Sequence, residues 1–262
     1  MQLKPAFDEI RKSLNSPHLW ALLGWYDIRQ RYRRSVLGPF WLTLSMGVMI
    51  ATLGFLWATL FKIDIREFLP YFAIGNVLWV YFSGQITEAC TGFTQFEHIL
   101  RQIKIPLPTY LLRLLTRNLI ILAHNAVIVV IVVSFIGDGW SWVSLLAIPG
   151  LFVISMAALF LSITIAMICT RFRDMPPIIQ NVTLVVFYVT PIIWQPRTLG
   201  GKYHWVVDYN PLAHLIDLVR LPILNTYPSQ ESWIVSIGFT LVCAAIAVPL
   251  LARFRSRVPY WL

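Results

Sequence analysis

Long apolar runs set the pattern of this chain. Six stretches, residues 40–61, 71–92, 118–136, 143–170, 178–194 and 234–252, are nearly free of charge. Each falls near the roughly 17–25 residues that an α-helix needs to cross a hydrocarbon core. The second is the least apolar, since it carries Gln85, Thr87 and Glu88. Pro149, Pro191 and Pro249 lie within spans, where neighbouring groups can satisfy the freed carbonyl. Three further segments are patterned without spanning. In residues 19–37, helical spacing puts Trp25, Ile28, Tyr32 and Val36 on one stripe. Asp27, Arg31 and Arg34 fall opposite, with Arg29 and Arg33 on the flank, which is the pattern of a helix lying in the membrane interface and equally of a basic topology anchor. In residues 96–110, Phe96, Ile99, Leu100 and Ile103 recur at helical spacing, with Glu97, Arg101 and Lys104 on other faces. Pro106 and Pro108 are expected to end that helix. The connection 195–233 is long for a compact bundle. Within it Asn210-Pro211 reads as an N-cap and first helical position. A mostly apolar helix 212–224 should follow, with His214, Asp217 and Arg220 on one stripe.

Charge fixes the orientation. Of 21 Lys and Arg residues, sixteen fall before the first span, after the second and fourth, and in the tail. The other five lie on the opposite side, so the positive-inside rule places both termini in the cytoplasm. The predicted division is one transmembrane unit over 1–262, with an interfacial segment 1–39, a six-span bundle 40–252 and a cytoplasmic tail 253–262. Residues 40–61 are expected to be a true first span rather than a cleaved signal sequence. Composition agrees: 58% of residues are hydrophobic and 13% charged, against about 25% charged in soluble domains. A soluble fold is excluded. The net charge of +9 then speaks for topology rather than for a nucleic-acid partner.

The chemistry of an enzyme is missing. No GxxxxGK[ST] phosphate loop, HExxH or GxSxG occurs, and Gly200-Gly201-Lys202 is a chance fragment. Cys90, Cys169 and Cys243 form no metal spacing and read as small buried hydrophobes. No catalytic or metal-ligating set is predicted. Ionisable groups inside spans are costly. Glu88 is the main one, expected to pair with a basic residue or to face a watery cavity; His124 is the other. Trp140, Trp142, Trp205 and Trp233 suit an interfacial belt. Trp57, Trp79, Tyr81, Phe82, Phe187 and Tyr188 lie deeper. They are either packing or a pool from which stacking surfaces for sugar rings are drawn, and residues 81 and 82 point about 100° apart.

Several motifs together resemble a known family. Arg29-Gln30-Arg31-Tyr32-Arg33-Arg34-Ser35-Val36-Leu37-Gly38-Pro39-Phe40-Trp41 is similar to the entry to the first span of ABC-2 permeases that export O-antigen, capsular polysaccharide or teichoic acid. Lys104-Ile105-Pro106-Leu107-Pro108, Arg117-Asn118-Leu119-Ile120, Arg173-Asp174, Gln180, Phe187-Tyr188-Val189-Thr190-Pro191-Ile192 and Asn210-Pro211-Leu212 with Arg220 follow in the family's order. Thr190 departs from the serine common there. The resemblance implies an all-α membrane protein of six transmembrane helices. It would add an N-terminal interfacial helix, a cytoplasmic coupling helix and an external re-entrant segment between spans five and six. It implies a homodimer in the bacterial inner membrane, paired with a separate dimeric ABC ATPase that holds the ATP and Mg, so this chain needs no cofactor. The cargo would be a polysaccharide on undecaprenyl pyrophosphate. Arg29, Arg31, Arg33 and Arg34 would guide the pyrophosphate. Phe96, Glu97, Ile99, Leu100, Arg101, Ile103 and Lys104 would couple to the ATPase. The competing readings are a drug- or lipid-exporting permease of the same mechanism, a membrane glycan-processing enzyme, and a proton-coupled carrier.

Overall fold

Several helices in this chain start where a capping side chain or a proline stands. Asp64 accepts from the Arg66 amide at 2.9 Å, Asn210 from that of Leu212 at 3.0 Å, and Ser229 from that of Ser232 at 3.1 Å. Each satisfies a donor that the first turn leaves open. The computed structural model describes residues 4–31, 33, 38, 40–97, 105–198 and 205–262. Every regular element among them is helical: α1 (Lys4–Leu14), α2 (Pro17–Arg31), α3 (Phe40–Phe61), α4 (Ile65–Ala89), α5 (Leu107–Phe135), α6 (Ala147–Arg171), α7 (Met175–Val189), α8 (Trp205–Asp208), α9 (Pro211–Ile223), α10 (Gln230–Phe254) and α11 (Val258–Trp261). Short 3-10 turns stand at Thr94–Phe96, Trp142–Leu146 and Pro196–Thr198.

Among the described residues, four helical stretches are long and apolar enough to cross a membrane: Phe40–Phe61, Leu107–Phe135, Trp142–Arg171 and Gln230–Phe254. Met175–Val189 is a shorter apolar one. The second expected span has its helix in α4, which has 25 residues but is more polar. Its position explains why. α4 packs on α3, α5, α6, α7 and α9, and from Phe68 to Trp79 every residue is buried. A helix sheathed in protein need not be as apolar as one facing lipid.

Boundaries differ from the sequence reading in three places. Pro106 and Pro108 stand at the opening of the next helix. Pro106 is the N-cap of α5 and Pro108 lies in its first turn, where a missing amide costs nothing. α5 therefore starts eleven residues ahead of the expected third span. Second, the described part of 96–110 is a 3-10 turn at Thr94–Phe96 followed by Glu97, then α5 from Leu107; Ile99, Leu100, Arg101, Ile103 and Lys104 lie outside the described residues. Third, α7 ends at Val189 and the chain turns through Thr190–Trp194. Near the N-terminus, α1 was not foreseen. It packs on α5 and α10, with Glu9 paired to Arg255 at 3.0 Å.

Candidate functional site

The most constrained polar group sits where α4, α7 and α9 meet. Arg220 of α9 is 1% exposed. Its Nε and Nη2 donate to Asp217 Oδ1 at 3.0 and 2.5 Å, one turn back on the same helix. Its Nη1 donates to the Pro191 carbonyl at 2.6 Å. The Tyr71 ring of α4 lies beneath it, 3.9 Å from the guanidinium carbon. The Tyr71 hydroxyl donates to the same Pro191 carbonyl at 2.9 Å. Asn210 adds a bond to Thr190 Oγ1 at 3.1 Å. The carbonyl freed by the proline turn after α7 is thus held from two helices. A fully buried arginine is tolerable because its planar fork is matched by a carboxylate, a carbonyl and a ring face. His214, expected on the same stripe, bonds instead to Ser232 Oγ at 3.1 Å and to the Asp208 carbonyl at 2.9 Å.

A second polar seam joins α4 to α5. Asn118 donates to Gln85 Oε1 at 2.9 Å, and Gln85 donates to the Leu111 carbonyl at 3.4 Å. One turn along, Glu88 pairs with Arg117, the first of the two arrangements expected for it. The seam also fixes relative depth. α3 runs parallel to α5, since Thr43 donates to the His124 carbonyl at 3.3 Å and Gly47, one turn on, lies against Ile128. It runs antiparallel to α4, since Asn76 bonds to Met46 Sδ at 3.2 Å while Gly54 lies against the earlier Leu69 and Phe72. By those pairings α3 begins level with Phe82 of α4, so Gln85, Glu88, Arg117 and Asn118 lie beyond its start.

The six aromatics separate into two groups. Trp79, Tyr81 and Phe82 are 7%, 3% and 5% exposed. They pack inside this chain, and the Tyr81 hydroxyl meets Ser155 Oγ at 2.7 Å. Trp57 and Phe187 are half-buried and Tyr188 is exposed. Phe187 touches Trp79 with ring centroids 5.5 Å apart, and Tyr188 at 5.3 Å. α7 buries none of its residues fully and leaves Gln180 and Asn181 exposed among aliphatic neighbours. α3 is similar: Phe40, Trp41 and Phe55 are exposed beside Ser45 and Thr52. Those α3 aromatics escaped the sequence reading, which took deep aromatics as the pool and left Phe55 out.

The basic interfacial segment is only partly described. Arg29 and Arg33 are exposed; Tyr32, Arg34 and Val36 lie outside the described residues, and Arg31 closes α2. The proposed stripe is split. Ile28 is buried while Trp25, Tyr26 and Leu22 face outward. Asp27 does not share a polar face with the arginines but pairs with Arg113 of α5. It is the sole carboxylate between Glu9 and Asp64, a signal that it had a specific cationic partner. Among the described residues no group of three or more His, Cys, Asp or Glu is placed to hold a metal ion. The three cysteines are buried and unbridged.

Known proteins share this pattern over most of its length. The chain is similar to the O-antigen export system permease protein RfbA of Klebsiella pneumoniae, 24% identical over 238 residues that cover 87% of this chain and 90% of that protein. A second Klebsiella pneumoniae protein of that name is 23% identical over 236 residues, again 87% and 90%. One from Myxococcus xanthus is 21% identical over 193 residues, 72% and 74% of the two chains. Residues 18–224 match the family described as ABC-2 type transporter. That match takes in everything from α2 through α9, so this multi-pass membrane protein belongs to the ABC-2 type transporter family, the membrane subunits of ABC transporters.

Proposed function

We propose that this chain is the permease subunit of an ATP-driven exporter that moves a lipid-linked polysaccharide of the O-antigen type out of the cytoplasm. The observation that carries this is the match along most of the chain to an ABC-2 family whose relatives are named O-antigen export permeases. The lack of a phosphate loop in the sequence supports a separate ABC ATPase, a dimer that holds ATP and Mg, so that this chain carries no cofactor of its own. Two copies of the permease, one from each half of the assembly, form the path in the inner membrane, with all termini cytoplasmic. The cargo is a glycan on undecaprenyl pyrophosphate.

Six crossings are made by α3, α4, α5, α6, α7 and α10, within a single unit spanning 1–262. α7 has 15 residues, about 22 Å of helix, and its Thr190–Trp194 turn carries the chain the remaining distance. α9 is the re-entrant element, apolar and packed against α4, α6 and α10. The register supports a cytoplasmic boundary near Phe82. α3 has 22 residues, about 33 Å, which fills a hydrocarbon core of about 30 Å. Glu88 and Arg117 then lie at the polar interface, not in the hydrocarbon. Arg29, Arg31, Arg33 and Arg34 meet the pyrophosphate at that depth. Trp57, Phe187 and Tyr188 are the aromatics placed to line the path, backed by Trp79, Tyr81 and Phe82.

The ATPase grips the segment from Phe96 and Glu97 through Ile99, Leu100, Arg101, Ile103 and Lys104. It is tied at both ends to crossings, whereas the tail is tied at one. Single cysteines at Glu97, Arg101 and Lys104 should cross-link to the co-expressed ATPase, beside comparison cysteines at Ser256 and Arg257. Capture through the tail alone would overturn this assignment.

A further inference from the structure

One side chain ties the interface helix to the start of the segment assigned to the ATPase. Arg113 stands near the cytoplasmic end of α5. Its Nε donates to Asp27 Oδ2 at 2.6 Å, and its Nη2 meets Oδ1 of the same carboxylate. Both side chains are 13% exposed. The face of the same guanidinium lies over the Phe96 ring, 4.1 Å from its centroid. Phe96 stacks on Tyr110 with centroids 5.4 Å apart, and Tyr110 meets Phe93 edge-on at 6.5 Å. α2 has little freedom to slide on α5, since a Cβ at Gly24 would lie 2.9 Å from the Arg113 carbonyl.

An arginine can hold a carboxylate by its edge and an aromatic ring by its face at the same time. A lysine ammonium has neither the fork nor the plane. Arg113 therefore bonds α2 along one edge and the Thr94–Phe96 turn across one face, with its backbone in α5. Phe96 stands where a pull on the leading end of the following segment enters the bundle. α2 in turn presents Leu22, Trp25, Tyr26 and Arg29 outward, the face that meets lipid headgroups.

We propose that Arg113 is a positioning residue that makes the interface helix move with the segment gripped by the ATPase, so that nucleotide binding shifts the face where lipid-linked cargo enters. The proposal rests on the ATPase docking reading above. It assigns Asp27, Arg113 and Phe96 to transmission, not to docking or to cargo contact.

The test uses the permease with its ATPase in lipid nanodiscs. Spin labels go on cysteines at Trp25 and Gln95, both exposed; the three native cysteines are buried. Distances are read without nucleotide and after trapping with ATP and vanadate. In the parent chain the distance should hold within about 2 Å between states, the scale of small helix shifts. In Arg113→Lys it should shift or broaden by clearly more. In sealed vesicles carrying the same complex, glycan moved per ATP hydrolysed should fall roughly three- to tenfold while the ATPase still co-purifies. Phe96→Leu, which leaves the ion pair intact, and Asp27→Asn, which leaves the ring contact intact, should move both readouts in the same direction by less. If the parent distance changes as much as the variants' do, or export per ATP is unchanged in all three, the proposal is overturned. A parent chain that captures no ATPase would overturn the docking reading, and with it this proposal.

Discussion

Arg220 is the largest fully buried side chain in the described structure, and its surroundings explain why a cation is kept there. It neutralises Asp217 and caps the Pro191 carbonyl, which otherwise would have Tyr71 as its main donor. Removing it leaves a carboxylate without its counter-charge, a loss of about 3–5 kcal/mol for pairs of this kind. Arg220→Gln should therefore lower the melting temperature of the purified protein strongly. Arg220→Lys should restore little of it, because the fork is lost. Tyr71→Phe should cost only about 1 kcal/mol, one hydrogen bond. An Arg220→Gln protein as heat-stable as the parent would show that the cluster does not hold α7 to α9. Sequence gave part of this. Spacing put Asp217 and Arg220 on one stripe, but nothing local could say that Arg220 reaches a carbonyl 29 residues away. Glu88 was easier, since an acid in a span needs a cation and Arg117 stood in the next cytoplasmic stretch. Asp27 was misplaced, because helical spacing cannot tell a lipid-facing side from one covered by α5.

Among the helices, close approach distinguishes glycines that matter from those that do not. A Cβ at Gly150 of α6 would lie 2.4 Å from the backbone oxygen of Leu218 in α9, which cannot yield without moving the helix. At Gly54 the nearest atom, at 2.2 Å, is the end of the flexible Leu69 side chain. Gly150→Ala should sharply reduce folded protein in the membrane, and Gly54→Ala only mildly. Equal tolerance of both would contradict the packing of α9 on α6. The proposed depths can be checked by labelling single cysteines with an impermeant maleimide in inside-out vesicles. Gln30 and Thr87 should react from the cytoplasmic side, while Val127, exposed at 47% on the lipid-depth part of α5, should not. Protection of Thr87 together with reaction at Val127 would reverse the proposed boundary. The four long apolar helices were legible because their central stretches lack charge. The early start of α5 was not, because Arg113, Arg117 and two prolines read as a loop. The helix continues there because α1, α2 and α4 cover it.

At the scale of the whole molecule, large side chains remain uncovered on α3, α7 and α10. Phe55, Leu56, Leu60, Val182, Val185, Tyr188, Leu241 and Val242 are each more than half exposed. Lipid accounts for aliphatic faces of this kind. The polar Gln180 and Asn181 on α7, and Ser45 and Thr52 on α3, are exposed as well, and water in the proposed path between two copies would satisfy them better than lipid. The family could be read from ordered motifs, and the match over 18–224 agrees. The proposed path could not, since its walls would be surfaces that one chain leaves open. The most direct measurement reconstitutes the permease with its ATPase in vesicles loaded with undecaprenyl-pyrophosphate-linked glycan, and follows glycan reaching the far leaflet. Transfer should require both subunits and hydrolysable ATP. It should fall when Tyr188 is replaced by leucine, with the complex intact, because the stacking face is lost. Transfer driven by a proton gradient without the ATPase, or no transfer with the intact ATP-hydrolysing complex, would contradict the account.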